Sequence, residues 1–186
     1  MNAFTILLTG YSGSGKTTIA QALKREFIRR NIPVELLDGD IVRKDLTADL
    51  GFSKKDRLSN ARRIGFLASL LSKHGVNVII AMIAPYSDCR EIIRHRVSNY
   101  REIYVKCPVT VCEKRDVKGL YKKARCGEIL HFTGINDPFE EPVCPDVTCE
   151  TDQESIYTSV ARIWGNLDIL SDIREASPFS AMYREP

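Results

Sequence analysis

Near the start of the chain, Gly10, Gly15, Lys16 and Thr17 stand in the pattern GxxxxGK[ST], directly after the apolar and β-branched run from Phe4 to Thr9. Glycine tolerates positive φ and close approach, so successive backbone N–H groups can turn inward and surround a phosphate with no Cβ in the way. Lys16 then reaches the β and γ phosphates as a point charge, Thr17 offers a hydroxyl to Mg²⁺, and a helix starting near Gly15 adds its positive dipole end. The chemistry predicted is nucleotide binding at a P-loop.

Other residues suit the same chemistry. Asp38-Gly39-Asp40 follows a short apolar run, Val34 to Leu37, and carboxylates at the C-terminal end of such a strand face the crevice that the P-loop faces. Asp40 then meets either Mg²⁺ or an acceptor hydroxyl, although Asp-Gly-Asp is also good turn chemistry. Arg43 lies one helical turn beyond Asp40. Arg57 and Asn60 share a face one turn apart, as surface residues or as donors to an anionic or nucleoside substrate. From Glu113 to Gly127 the basic residues Lys114, Arg115, Lys118, Lys122, Lys123 and Arg125 crowd together. They are a solvated face or a lid over phosphates, and phosphoryl transfer, which needs charge neutralised and water excluded, favours the lid. Phe132 falls in a turn-rich stretch, where an exposed aromatic can stack a base.

The elements that must position these groups alternate between strand and helix. Ile19, Leu23 and Phe27 give the P-loop helix an apolar stripe, and it ends around Arg29 to Asn31. Ser53 and Asp56 form a capping box for a helix running through His74, with Ile64, Leu67, Ala68 and Leu71 inward and Gly75 as its stop. Val76 to Ile83 is the most hydrophobic strand and is expected at the centre; it ends without an acidic residue, which shifts metal binding towards Asp38 and Asp40. A charged helix from Ser87 to Asn99, a strand from Tyr100 to Lys106 and a helix from Pro108 come next. Asp146 to Glu150 is the last strand, and Glu154 to Leu170 the last helix, with Ile156, Val160 and Ile163 inward. The pattern predicts an α/β, P-loop NTPase-type three-layer sandwich around a parallel sheet of about five strands. One kinase domain covers residues 1–175, with a lid at about 114–145 and a tail at 176–186.

A chain of 186 residues with 44% hydrophobic content suits one soluble domain. Its net charge of +3 is too mild for a nucleic-acid binder and suits small anionic ligands. There is no run of about 18 apolar residues to span a bilayer, and MNAFTILLTG lacks the basic start and cleavage site of a signal peptide, so the cytoplasm is the expected compartment. The cysteines at 89, 107, 112, 126, 144 and 149 include no CxxC pair, which favours reduced thiols over a metal site.

Six segments in order are more specific than any P-loop: GYSGSGKTT, DGDIVR, LGFSKKDRLSNARRIG, IAPY, CEKRDVKGLYKKARCGEI and FTGINDPFEEP. Together they resemble the adenylylsulfate kinase (APS kinase) family over roughly Thr5 to Thr151. The resemblance implies transfer of the γ-phosphate of MgATP to the ribose 3′-hydroxyl of adenosine 5′-phosphosulfate (APS), giving the activated sulfate donor PAPS. It implies that Gly10, Tyr11, Ser12, Gly13, Ser14, Gly15, Lys16, Thr17 and Thr18 hold ATP, with Arg115 joining from the lid. Thr17, Asp38 and Asp40 would serve the metal, with Asp40 also at the acceptor hydroxyl. Arg43, Arg57 and Asn60 would grip the phosphosulfate and ribose, Phe52 and Phe132 would sandwich the acceptor adenine, and Ile83 and Ala84 would line its pocket. Lys16, Asp40 and Lys118 would be catalytic. Many members carry a serine, the site of a phosphoserine intermediate, where Ala84 stands, so here direct in-line transfer is implied; Ile41 likewise replaces a usual asparagine. The family's frequent dimers imply a homodimer. The alternatives are a P-loop kinase of another small molecule and a catalytically silent nucleotide-binding subunit.

Overall fold

The structure, a computed structural model, describes residues 3–167. Among them five strands form one all-parallel sheet: β1 (Thr5–Thr9), β2 (Val34–Asp38), β3 (Asn77–Ala81), β4 (Tyr100–Lys106) and β5 (Val147–Glu150), in the order β2-β3-β1-β4-β5. β1 and β3 are buried along their whole length, as strands covered on both faces must be. β1, not β3, holds the middle. Hydrophobicity marks a strand as interior but cannot choose between two interior positions.

Alternate residues of β1 feed two cores. Ile6 and Leu8 pack with Ile19, Leu23 and Phe27 of α1 (Lys16–Arg29) and with Ile163 and Trp164 of α7 (Ile156–Asn166). Leu7 packs on the other face with Ala61, Ile64 and Ala68 of α3 (Lys54–Lys73) and with Cys89 and Ile93 of α4 (Ser87–Arg94). Helices therefore cover both faces, in the three layers expected. A third cluster, Cys107, Cys112, Tyr121, Ala124 and Phe132, gathers around α5 (Val109–Arg115) and α6 (Leu120–Arg125).

Local signals place most helix starts. Ser53 caps α3, its hydroxyl accepting from the Asp56 N–H at 3.2 Å and donating to the Asp56 carboxylate at 2.6 Å. Several boundaries differ from the expectation. β3 stops at Ala81, and Met82 to Pro85 leave the sheet to line a crevice at its edge. α4 ends at Arg94, well short of Asn99, whose φ of 50° is left-handed. α7 begins after Ser155, whose hydroxyl accepts from the Thr158 N–H. Ile156 is therefore the first residue of the helix, and it is 49% exposed, not inward. The predicted end of that helix at Leu170 and the tail at 176–186 lie outside the described residues.

Candidate active site

The C-terminal ends of β1, β2 and β3 are in register, with Leu8 beside Ala81 and Ala81 beside Asp38, so the segments that leave these strands open on the same edge of the sheet. In an open parallel sheet that edge is where ligands bind. A crevice of about 670 Å³ lies there.

The donor side begins at Gly10, where a Cβ would meet the Val105 carbonyl oxygen at 2.4 Å; no side chain fits. Gly13 and Gly15 hold φ of 75° and 100°, the left-handed region that glycine enters freely. The Lys16 ammonium lies folded into the loop, donating to the carbonyls of Gly10 at 3.0 Å and Tyr11 at 2.5 Å. Burial lowers its pKa to about 8, against the weaker pull of nearby acidic groups. The Thr17 hydroxyl donates to Asp38 Oδ2 at 2.8 Å. Arg115 donates to the Gly13 carbonyl at 3.3 Å and the Thr151 carbonyl at 2.8 Å, so it sits on the glycine loop itself.

Asp38-Gly39-Asp40 is not a solvated turn. Asp38 is 5% exposed and caps α2 (Gly39–Asp45), its Oδ1 accepting from the Asp40 N–H at 2.9 Å. One carboxylate thus holds the Thr17 hydroxyl and sets the start of the helix that carries Asp40. Asp40 itself points outward and pairs with Lys118, with side-chain exposures of 62% and 50%. Thr17, Asp38 and Asp40 offer only oxygen, the donor set that a hard divalent cation takes, and the 2.8 Å contact shows that two of them already converge.

On the acceptor side, Arg43 lies with its guanidinium carbon 4.3 Å from the centre of the Phe52 ring, and Arg57 approaches the same ring at 5.6 Å. Arg57 and Asn60 are each 6% exposed, which rules out the surface alternative. Arg57 donates to the carbonyls of Phe52 at 3.1 Å and His131 at 3.0 Å and to the Thr133 hydroxyl at 3.0 Å, joining α3 to the α6–β5 connection. Asn60 Oδ1 is buried with no hydrogen-bond partner among the described residues, although its residue lines the crevice. Phe132 is 7% exposed instead of standing free in a loop: its ring packs edge-on against Tyr121 at 4.9 Å and still lines the crevice. The Ile83 carbonyl accepts from the Thr9 hydroxyl at 2.6 Å, which ties the acceptor wall to the root of the glycine loop. Ala84 comes next at φ 42°, with Arg90 donating to its carbonyl at 3.0 Å.

Ser12, Gly13, Gly15, Lys16, Thr17, Thr18, Asp40, Arg43, Phe52, Arg57, Asn60, Ile83, Ala84, Arg115, Lys118 and Phe132 thus line one crevice. Gly10, Tyr11, Ser14 and Asp38 are not among its lining residues. Met82, Val117, Leu120, Ile129, His131 and Thr133 also line it, although the sequence pattern does not single them out. Val117 and Leu120 carry a signal, as apolar residues inside a basic run; Met82 carries none.

A family model described as adenylylsulphate kinase matches residues 2–150. The chain is 52% identical to an adenylyl-sulfate kinase from Microcystis aeruginosa over 92% of its own length and 95% of that protein's. It is 54% identical to one from Rippkaea orientalis, with coverage of 89% and 92%. The fold superposes with a TM-score of 0.86, at 38% identity, on the Mycobacterium tuberculosis APS kinase solved with AMPPNP and APS, covering 90% of this chain and 98% of that one.

Proposed function

The chain belongs to the adenylylsulfate kinase family, and we propose that its crevice performs the family reaction by direct transfer, the γ-phosphate of ATP passing to the 3′-hydroxyl of APS to give PAPS and ADP. One observation carries this reading. A glycine cradle with its lysine shares a single crevice with two arginines, an asparagine and two aromatic rings. The second set is what an acceptor both anionic and aromatic requires.

The residues divide the work. Backbone N–H groups of the loop and Lys16 hold the donor phosphates. Asp38 orients the Thr17 hydroxyl and, through its cap, the start of the helix bearing Asp40. Thr17, Asp38 and Asp40 would hold Mg²⁺, which would supply charge neutralisation at the phosphates. Asp40 takes the proton of the acceptor hydroxyl, and Lys118, already paired with it, stabilises charge on the transferring group. Arg57 and Asn60 bind the acceptor's sugar and anionic groups, Arg43 assists from beside the Phe52 ring, and Phe52 and Phe132 stack its base. At Ala84 the side chain is a methyl, so that position offers no nucleophile for a phosphoenzyme. Residues 114–145 act as the lid, anchored by Arg115 on the glycine loop and carrying Lys118 over the phosphates. We read the enzyme as cytoplasmic and as a homodimer; no described helix is long and apolar enough to cross a membrane.

The test is ADP release from MgATP with and without APS. Release should require APS and match the formation of 3′-phosphorylated product. ATP binding without APS-dependent release would end this reading in favour of another acceptor.

A further inference from the structure

The stretch from Gly134 to Glu141, the C-terminal part of the 114–145 lid segment, holds none of the side chains given a role towards either substrate, yet it touches both halves of the crevice. The Phe139 ring lies 4.8 Å from that of Tyr11 in the glycine loop and 5.9 Å from that of Tyr104 on β4. Gly134 presses on Tyr11 so closely that a Cβ there would meet ring carbons at 2.9 and 3.0 Å. On either side of Phe139 the contacts run the other way, to the acceptor wall. Asp137 accepts from the Tyr86 hydroxyl at 2.9 Å and lies 3.9 Å from the Arg57 guanidinium. The Glu140 N–H donates to the Pro85 carbonyl at 2.7 Å, and its carboxylate accepts from the Ser87 N–H at 2.7 Å and hydroxyl at 2.8 Å, at the start of α4.

The acceptor wall needs such support. Ala84 sits at φ 42°, a backbone conformation that residues other than glycine rarely adopt, so it is held by its neighbours and not by its own preference. Arg90, buried against Glu102 at 3.1 Å, holds the Ala84 carbonyl; Glu140 holds Pro85 and Ser87. The donor loop receives Phe139 instead.

We infer that residues 137–141 are a strap that sets the separation of the two substrates, and that Phe139 and Glu140 are positioning residues for transfer; this rests on the two-substrate reading of the crevice. Reacting atoms must lie about 3 to 3.5 Å apart, and a misplacement of about 1 Å costs roughly a hundredfold in rate. A strap with its ring on one wall and its polar groups on the other controls that gap without touching either substrate.

The experiment measures single-turnover transfer by Phe139→Ala, Phe139→Tyr and Glu140→Ala, beside the separate binding of ADP and of APS to each protein. Phe139→Ala should slow transfer by about tenfold or more, with each ligand's dissociation constant changed by less than about threefold. Phe139→Tyr should restore the rate to within about twofold, and Glu140→Ala should lose roughly three- to tenfold. Transfer at the wild-type rate in both alanine variants overturns the strap, as does a slowing matched by lost affinity for either ligand alone. If Phe139→Ala does not fold, Glu140→Ala, at an exposed position, decides by the same criteria. Wild-type protein assayed in parallel separates the two ideas: no transfer by wild type ends the two-substrate reading and the strap with it, whereas active wild type with unimpaired variants ends the strap alone.

Discussion

At the glycine loop Lys16, Thr17 and Arg115 are already engaged, while the buried Ser14 hydroxyl has no partner among the described residues. Lys16 donates to two carbonyls, Thr17 to Asp38, and Arg115 to Gly13 and Thr151. Across the crevice the Asp40–Lys118 pair stands half in water, beside Val117 at 83% exposure and close in sequence to Leu130 at 70%. On the function proposed, the contrast separates a cradle that works when rigid from a lid that works by moving. Phosphate is held by backbone dipoles that work only when fixed beforehand. A lid has to open for product release, and exposed ion pairs of low net worth let it do so.

If the donor side is prebuilt, its damage should be the most costly. Lys16→Ala should lower kcat/KM by about a thousandfold with the fold intact by circular dichroism; a loss of less than about tenfold would show that the loop backbone suffices by itself. Asp40→Asn, at the exposed pair, should lower kcat by about a hundredfold while KM for APS stays nearly constant. Near-normal turnover there would remove the base from Asp40. For Lys118→Ala we expect about tenfold in kcat, more than in KM, and a melting temperature within about 2 °C of wild type, because its partner is exposed. A large drop in melting temperature would make the pair structural and erase the contrast.

The smallest effect is in pH. Burial lowers the Lys16 pKa to about 8, so its folded value lies below its unfolded one. Lys16 is therefore cationic in both states below that pH and loses its proton first in the fold as pH rises. Its share of stability in the ligand-free protein increases from about pH 8 towards the ordinary lysine value. ATP affinity moves the other way, because the phosphates need the cation. It should fall about fourfold between pH 7 and 8.5, with proton uptake on binding seen by titration calorimetry in buffers of different ionisation enthalpy. Affinity flat across that range would mean that Lys16 stays charged and the loop is wetter than its hydrogen bonds imply.

Much of the crevice was legible because its residues are tied to local rules. The glycine spacing, the cap at Ser53 and the apolar stripe of α1 each depend on neighbours within one or two turns, and each stands as read. What failed depended on partners far along the chain or on a single cap. Phe132 looked exposed in its turn-rich segment, but Tyr121 and the α5–α6 cluster bury it. Ile156 looked inward by spacing, but it is the first residue of α7, directly after the Ser155 cap, and is left exposed while Ile163, further along the same stripe, is buried. Arg57 was open as a surface residue or a ligand donor; its burial removes the surface option, and its hydrogen bonds to Phe52, His131 and Thr133 reach two residues more than seventy positions away, which no local pattern shows.

By itself, then, the sequence determined the kind of chemistry and the order of the layers. Both come from residue type at short spacing: which glycines can turn a backbone, which carboxylates end a strand, which faces are apolar. Only the tertiary structure decided how the two substrate walls meet, with Asp38 sunk beneath the loop, Asp40 left to Lys118, and residues 137–141 spanning from Tyr11 to Ser87. Those relations join residues distant in the chain, and no local preference encodes a distance that is set by packing two loops against a common third segment.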